Sequence, residues 1–236
     1  MTAQPSTVRV DWPRAVRIIR SRFPPIPLFE DIADPTDWDL LNSAETKTNP
    51  RIAETIGRLD LVPIERRVSG PNASYVMAPF THVSTDRPSR FSNGTYGVYY
   101  CANRTETAIF ETIYHHERFL HATSEPPGWC SEYRELAGTL HADVHDIRDG
   151  HPAWRSSLDP DDYAAAQILG AQLRAAGSDG IIYPSVRDPG GTCAGLFWPD
   201  VPGVPDQASH YSYHWDGDRV DQIQNLSTGE LSRVCA

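Results

Sequence analysis

Apolar residues in the first 73 positions recur at helical spacing in short segments. Pro13, followed by apolar residues at positions 15, 16, 18 and 19, predicts a short helix that begins near Pro13. Residues 29–32 and 38–41 indicate another helical segment, and residues 49–59 a further one, with Asn49 as cap and Pro50 at the first helical position. We therefore predict a mostly helical N-terminal extension over residues 1–73, packed on the core of the domain.

The pattern changes at Ser74. Residues 75–80 and 97–102 are short apolar runs rich in aromatic and small side chains, which predicts two strands. Asn103, with Glu106 three positions later, is similar to a capping box and predicts the start of a helix. That helix is expected over about residues 104–120, because positions 108, 109, 113, 116 and 120 fall on one face.

The second half of the chain mixes weak strand signals with one clear helix. Residues 133–136 and 138–144 alternate weakly and predict strands. Asp159 is expected to cap a helix that has Pro160 at its first position and ends at Gly177. Residues 180–184 and 194–198 predict strands around a glycine-rich loop, and the tail after Pro199 is polar. Because β-α-β alternation is not sustained, the predicted class is α+β: a compact single domain with a mixed sheet.

Composition and charge narrow the class of protein. Of the 236 residues, 39% are hydrophobic and 22% charged, which is typical of a globular protein. The formal charge of −10 speaks against sequence-independent binding to nucleic acid. We expect no signal peptide and no membrane span, because no suitable apolar run is present.

Cysteine and histidine spacing gives no metal motif. The four cysteines form no C-x-x-C pair, so reduced thiols are expected, although counting leaves disulfides open. His141 and His145 lie four residues apart, but H-E-x-x-H is absent and their segment predicts a strand. We therefore expect no metal site.

Three polar residues stand where chemistry could occur. Arg90 flanks a turn before a strand, and a guanidinium suits phosphate oxygens; the alternative is a surface arginine. Glu111 lies off the apolar stripe of its helix, where it could face a cleft or pair with His115 one turn later. Ser185 opens the glycine-rich loop, which could cradle an anion or be a plain turn. Rossmann, P-loop and G-x-S-x-G motifs are absent.

Taken in order, these residues resemble the RES domain, a family named for an arginine, a glutamate and a serine. The resemblance covers roughly residues 74–198, and residues 74–236 would form its catalytic domain. The matching segments are Ser89-Arg90-Phe91-Ser92-Asn93-Gly94, Tyr96-Gly97-Val98-Tyr99-Tyr100-Cys101-Ala102, Thr107-Ala108-Ile109-Phe110-Glu111-Thr112 and Ile182-Tyr183-Pro184-Ser185-Val186-Arg187. Met77-Ala78-Pro79-Phe80-Thr81-His82 is similar to one subgroup of the family.

The resemblance implies a fold like that of ADP-ribosylating toxins and a set of site residues. It assigns Arg90, Glu111 and Ser185 to catalysis, and Tyr100 with Arg90 to NAD binding. Tyr100 is preferred to Tyr99 by register alone, so Tyr99 stays a candidate for NAD binding. Two positions depart from the family: His82 stands near the place of a frequent arginine and could replace it, and residues 192–194 occupy a stretch that often holds an asparagine.

The function implied by the resemblance is that of a type II toxin–antitoxin toxin that breaks the nicotinamide–ribose bond of NAD. The acceptor would be phosphate, as in an NAD phosphorylase, or water, as in an NAD glycohydrolase. The resemblance also implies a cytoplasmic protein, a homodimer bound to an Xre-like antitoxin. Two alternatives are a mono-ADP-ribosyltransferase that modifies a protein and an inactive binding module of the same fold.

Overall fold

The computed structural model describes residues 4–21, 34–40, 43 and 57–234. Its helices of eight or more residues are α1 (Ser74–Thr81), α2 (Thr105–Thr123) and α3 (Ala164–Ala175). Its strands are β1 (Thr7–Arg20), β2 (Tyr99–Ala102), β3 (Cys130–Asp146), β4 (Gly180–Pro184), β5 (Thr192–Leu196), β6 (Asp206–Trp215), β7 (Val220–Asn225) and β8 (Leu231–Arg233). Short 3-10 helices span Leu59–Leu61, Ile64–Arg66 and Pro152–Leu158.

The strands of the described ranges join in one mixed sheet that curls on itself. Their order is β1-β2-β5-β4-β3-β6-β7-β8, and β1 also pairs with β3, so β1, β2, β5, β4 and β3 form a closed ring. The β3–β4 pair is parallel, and the other pairs of this sheet are antiparallel. The mixed sheet with helices confirms the predicted α+β class.

The helix predicted near Pro13 is wrong, because this segment lies within β1. The strand pairs with β3 from Thr7 opposite His145 to Arg20 opposite Tyr133. A register shift between Trp12 and Ala15 places Pro13 at a bulge, where a residue without an N–H is tolerated. The bulge breaks the alternation of apolar positions and thereby imitates helical spacing. This strand therefore belongs to the same sheet as the strands beyond residue 74, and the proposed division at residue 73 stays a prediction.

Other local predictions have mixed outcomes. The strand predicted over residues 75–80 is wrong, since α1 occupies this segment, and a short apolar run does not distinguish a buried helix from a strand. The expected helices at residues 29–32 and over most of 49–59 lie outside the described residues, whereas residues 38–40 are helical. Asn103 does not cap α2; its side-chain oxygen accepts a hydrogen bond from the N–H of Thr192 at 3.1 Å.

The remaining expectations are largely confirmed, with shifted boundaries. The two weak strands predicted between residues 133 and 144 are one long strand, β3. Helix α3 begins at Ala164, because the carboxylate of Asp159 holds the preceding turn through the N–H groups of Asp161 and Asp162, both at 2.8 Å. The polar tail contains β6, β7 and β8, and Tyr211, Tyr213 and Trp215 of β6 face the core at alternate positions.

Helix α2 packs against the ring and leaves a recess between the helix and the strand ends. Its buried side chains are Thr107, Ala108, Ile113, His116 and Leu120. Within the part of the chain that the structure describes, no helix is both long and apolar enough to cross a membrane. The recess brings together polar residues of several elements.

Candidate active site

A cavity of about 330 Å³ lies between α2, the ring strands and the loop that precedes β2. This volume falls in the range of small-molecule sites, which is about 300–1,000 Å³. Its lining includes Arg17, Arg90, Tyr100, Glu111, His115, Tyr163, Tyr183 and Cys193. The structure thus brings together Arg90, Tyr100 and Glu111, which are separated by about ten residues each in the sequence.

Glu111 is anchored by one of its two carboxylate oxygens. The hydroxyl of Ser185 donates to Oε1 at 2.6 Å, and the thiol of Cys193 lies 3.8 Å from the same atom. Within the described residues, no hydrogen bond to Oε2 is found, so this oxygen is left for a ligand in the cavity. The expected alternative, a pair between Glu111 and His115, is not among the hydrogen bonds of the described chain.

Ser185 lies outside the cavity lining and acts on it through Glu111. Its Oγ accepts hydrogen bonds from the N–H groups of Arg187 at 3.1 Å and Asp188 at 3.0 Å. With both acceptor positions of the oxygen used, the hydroxyl hydrogen is directed to Glu111. The loop is closed by the N–H of Ser185, which donates to the carbonyl of Gly191 at 2.9 Å. Ser185 is therefore placed to orient the carboxylate.

Arg90 is buried, which excludes the alternative of a surface arginine. Only 7% of its surface is exposed, and Nη1 donates to the carbonyl oxygens of Asp159 at 2.7 Å and Ser157 at 3.3 Å. The guanidinium carbon lies 4.5 Å from the ring centroid of Tyr163 and 6.0 Å from that of Tyr183. In the described residues, Nε and Nη2 donate no hydrogen bond to the protein, so they are available to an anion.

Tyr100 is held in the cavity wall by its phenolic oxygen. This atom lies 2.9 Å from Oγ of Ser89 and accepts a hydrogen bond from the N–H of Phe91 at 2.9 Å. Burial raises the pKa of Tyr100 to about 12, so the phenol is protonated near neutral pH. The ring therefore offers the cavity a neutral aromatic surface fixed by the turn that also carries Arg90.

The structure does not bring the other two predicted ligand residues to this cavity. Tyr99 is 2% exposed and packs in the apolar cluster on the opposite side of β2, as alternation along a strand requires. His82 ends α1 and is exposed to solvent. Neither Tyr99 nor His82 is among the described residues that line the cavity. A direct NAD contact from either residue therefore has no support in this geometry.

Sequence reasoning did not assign several lining residues to the site, among them Arg17 and Cys193. Arg17 comes from β1; it donates through Nη1 to the carbonyl of Tyr100 at 2.9 Å and lies 4.8 Å from the ring centroid of Tyr99. Cys193 comes from β5 and is 3% exposed. Burial and the nearby charge of Glu111 raise the pKa of the Cys193 thiol, which therefore acts as an S–H group and not as a thiolate nucleophile.

The cavity combines one positive and one negative side chain. These are the guanidinium of Arg90 and the carboxylate of Glu111; the guanidinium of Arg17 lies over Tyr99, on the other side of β2. In the described ranges, no group of three or more His, Cys, Asp or Glu side chains is arranged to hold a metal ion. This arrangement can bind an anionic ligand and stabilise positive charge that develops next to Glu111.

The model of the RES domain matches residues 64–216. The chain belongs to the RES domain family. A curated relative, "Uncharacterized protein y4oC" of Sinorhizobium fredii (strain NBRC 101917 / NGR234), is 28% identical over 213 residues, covering 88% of this chain and 85% of that protein.

Among solved structures, the crystal structure of the M. tuberculosis MbcT–MbcA toxin–antitoxin complex aligns with this chain. The alignment covers 88% of this chain and 87% of that one at 11% identity, with a TM-score of 0.45. Strand β1, which supplies Arg17 to the cavity, lies before the RES match.

Proposed function

We propose that this RES-domain protein breaks the nicotinamide–ribose bond of NAD. The observation that carries the proposal is the state of Glu111: one carboxylate oxygen is bound by Ser185, and the other is left for a ligand in a cavity that also holds Arg90. Membership of the family supports the choice of NAD, since the resemblance implies activity on this dinucleotide. The guanidinium of Arg90, whose Nε and Nη2 donate no hydrogen bond within the described residues, suits its pyrophosphate.

The chemistry needs a carboxylate more than it needs a nucleophile. Nicotinamide departs as a neutral molecule with the electron pair of the C–N bond, which leaves positive charge on the ribose. A fixed carboxylate stabilises that charge more than it stabilises bound NAD, which is the condition for catalysis. Glu111 would have this role, and Ser185 would keep it oriented. Tyr100 would pack against the nicotinamide ribose, and Arg90 would hold the pyrophosphate or an incoming phosphate.

The acceptor completes the reaction at the ribose carbon. A phosphate oxygen would form a new C–O bond and give ADP-ribose 1″-phosphate; water would give ADP-ribose and release a proton. A protein side chain as acceptor would make the enzyme a mono-ADP-ribosyltransferase. An inactive binding module is disfavoured by the intact hydrogen bond between Ser185 and Glu111.

The biological role follows from the same family. We propose a cytoplasmic toxin of a type II toxin–antitoxin system, bound as a homodimer by an Xre-like antitoxin that limits its consumption of NAD. Co-expression of the protein with the product of a neighbouring gene of this type tests the role: rescue of growth supports it, and growth arrest that persists with the pair contradicts it.

The catalytic proposal is tested with purified protein and NAD, with and without phosphate. Nicotinamide release is followed by chromatography, and the mass of the second product identifies the acceptor. Labelled NAD in the presence of cell extract reports transfer to protein. Nicotinamide release by the parent and its loss in Glu111→Gln support the proposal; no release under any of these conditions contradicts it.

A further inference from the structure

A second carboxylate, Asp188, is buried behind the candidate site and lies outside its lining. It is 8% exposed. Its Oδ2 accepts hydrogen bonds from Thr107 Oγ1 at 2.5 Å and from Arg104 Nη2 at 2.7 Å and Nε at 3.2 Å. Nε of Arg104 also donates to the hydroxyl of Thr107 at 3.0 Å. Three donors therefore converge on a single oxygen at the start of α2.

These bonds connect the helix that carries Glu111 to the loop that carries Ser185. Thr107 precedes Glu111 by one turn on α2, so both side chains leave the same face of the helix. The N–H of Asp188 donates to Oγ of Ser185, whose hydroxyl donates to Glu111. The connections form a closed circuit, called here the hydrogen-bond ring to distinguish it from the ring of strands. It runs from Thr107 to Asp188, from Asp188 to Ser185, from Ser185 to Glu111, and back along one helical turn.

The hydrogen-bond ring is also tightly packed. Gly191 lies against it, and a Cβ atom at this position would approach Thr107 Oγ1 to 2.5 Å and Asp188 Oδ2 to 2.6 Å. The N–H of Gly191 donates to the carbonyl of Asp188 at 2.9 Å. Neither the loop nor the helix can shift relative to the other without breaking one of these short bonds, so the ring fixes their relative position.

We infer that Asp188 is a positioning residue, which holds the Ser185 loop against helix α2 so that the carboxylate of Glu111 meets the substrate in one orientation. The expected effect on catalysis rests on the proposed function. The expected effect on the position of the loop rests on the hydrogen-bond ring alone. Asp188 touches no reacting atom; it acts through Thr107 on one side and Ser185 on the other. Arg104 neutralises its charge, which makes a buried carboxylate tolerable at this place.

The first test compares kcat and KM for nicotinamide release. Asp188→Asn keeps the shape and weakens the bonds to Arg104 and Thr107, so we expect kcat to fall about tenfold or more, because small displacements of a catalytic group are costly. KM for NAD should stay within about twofold, since neither Asp188 nor Thr107 lines the cavity. Thr107→Val should act like Asp188→Asn, and Thr107→Ser, which keeps the hydroxyl, should restore most of kcat.

A matched control removes a similar ion pair elsewhere. Asp146 pairs with Arg148 at 2.7 Å at the end of β3, outside the hydrogen-bond ring. Asp146→Asn should leave kcat and KM close to those of the parent. Equal losses of kcat in Asp146→Asn and Asp188→Asn, or a full kcat in Thr107→Val, would overturn the inference.

A second readout does not depend on catalysis. The amide hydrogens of Arg187 and Asp188 bond to Ser185, so Asp188→Asn should speed their exchange with solvent by about tenfold or more while amides of β3 keep their protection. Unchanged exchange at these two amides would overturn the inference even if the parent cleaves NAD. If the parent releases no nicotinamide, the proposed function fails, and accelerated exchange at the two amides would still establish the positioning role.

Discussion

Replacement of Ser185 by alanine tests the geometry of the site without any assumption about the substrate. The hydroxyl donates to Glu111 at 2.6 Å and accepts from the N–H groups of Arg187 and Asp188. In Ser185→Ala, all three bonds disappear together. The carboxylate keeps only the thiol of Cys193, which is a weak donor at 3.8 Å.

The expected loss of stability can be worked out from these contacts. Ser185 is 8% exposed, so water replaces its bonds poorly. A buried hydrogen bond to a charged group contributes about 1.5–3 kcal/mol. We therefore expect the free energy of unfolding to fall by about 2 kcal/mol, which corresponds to roughly 4–8 °C in Tm for a domain of this size.

Urea unfolding of the parent and the variant measures this difference directly. The slope against urea concentration should be the same in both proteins, so that the midpoint alone shifts. The control is Ser232→Ala, because Ser232 is exposed on the short edge strand β8; it should lie within about 0.5 kcal/mol of the parent. A Ser185→Ala protein as stable as the Ser232→Ala control would refute the assignment of Ser185 as the anchor of Glu111.

Two further predictions concern buried cations and acid stability. Arg90→Lys should raise KM for NAD about tenfold. Arginine can bind the backbone through Nη1 and still offer other donors to an anion, whereas lysine lacks this planar fork. Steady-state kinetics measure KM, and an unchanged value would exclude Arg90 from ligand binding. His116 is 3% exposed, and burial, followed by the charge of Arg20, lowers its pKa to about 4. Between pH 6.5 and 4, His116 is protonated in the unfolded chain but not in the folded chain. The free energy of unfolding should therefore decrease as the pH is lowered, by up to roughly 3 kcal/mol. His116→Gln should flatten this slope in unfolding measurements, and equal slopes in the two proteins would contradict the prediction.

Local patterns were enough to predict the elements around the candidate site. The apolar runs of β2 and β4 and the periodic face of α2 depend on near neighbours in sequence, and the structure confirms them. Arg90, Tyr100 and Glu111 lie on or beside those elements and line one cavity. What the sequence could not provide was the partner of each side chain, since Ser185 reaches Glu111 across 74 positions.

The secondary-structure predictions that were wrong have a common physical cause, which is contact between residues distant in the sequence. Strand β1 is stabilised by β3, more than a hundred residues later, and its own sequence is interrupted by a bulge at Pro13. Strand β1 consequently lines part of the cavity through a pairing that no local motif predicts. Residues 75–80 form a helix because tertiary burial decides the state of a short apolar run. The alternating tyrosines of β6 were a signal that could have been used, and the polar residues between them concealed it.

Cleavage of NAD is measured as nicotinamide release by the purified parent and by Glu111→Gln, with and without phosphate. Removal of one preorganised charged group typically costs about 100- to 1000-fold in rate. We expect release by the parent and a loss of this size in Glu111→Gln, with the variant still folded. Release at the same rate by both proteins, or by neither, would contradict NAD cleavage that depends on Glu111.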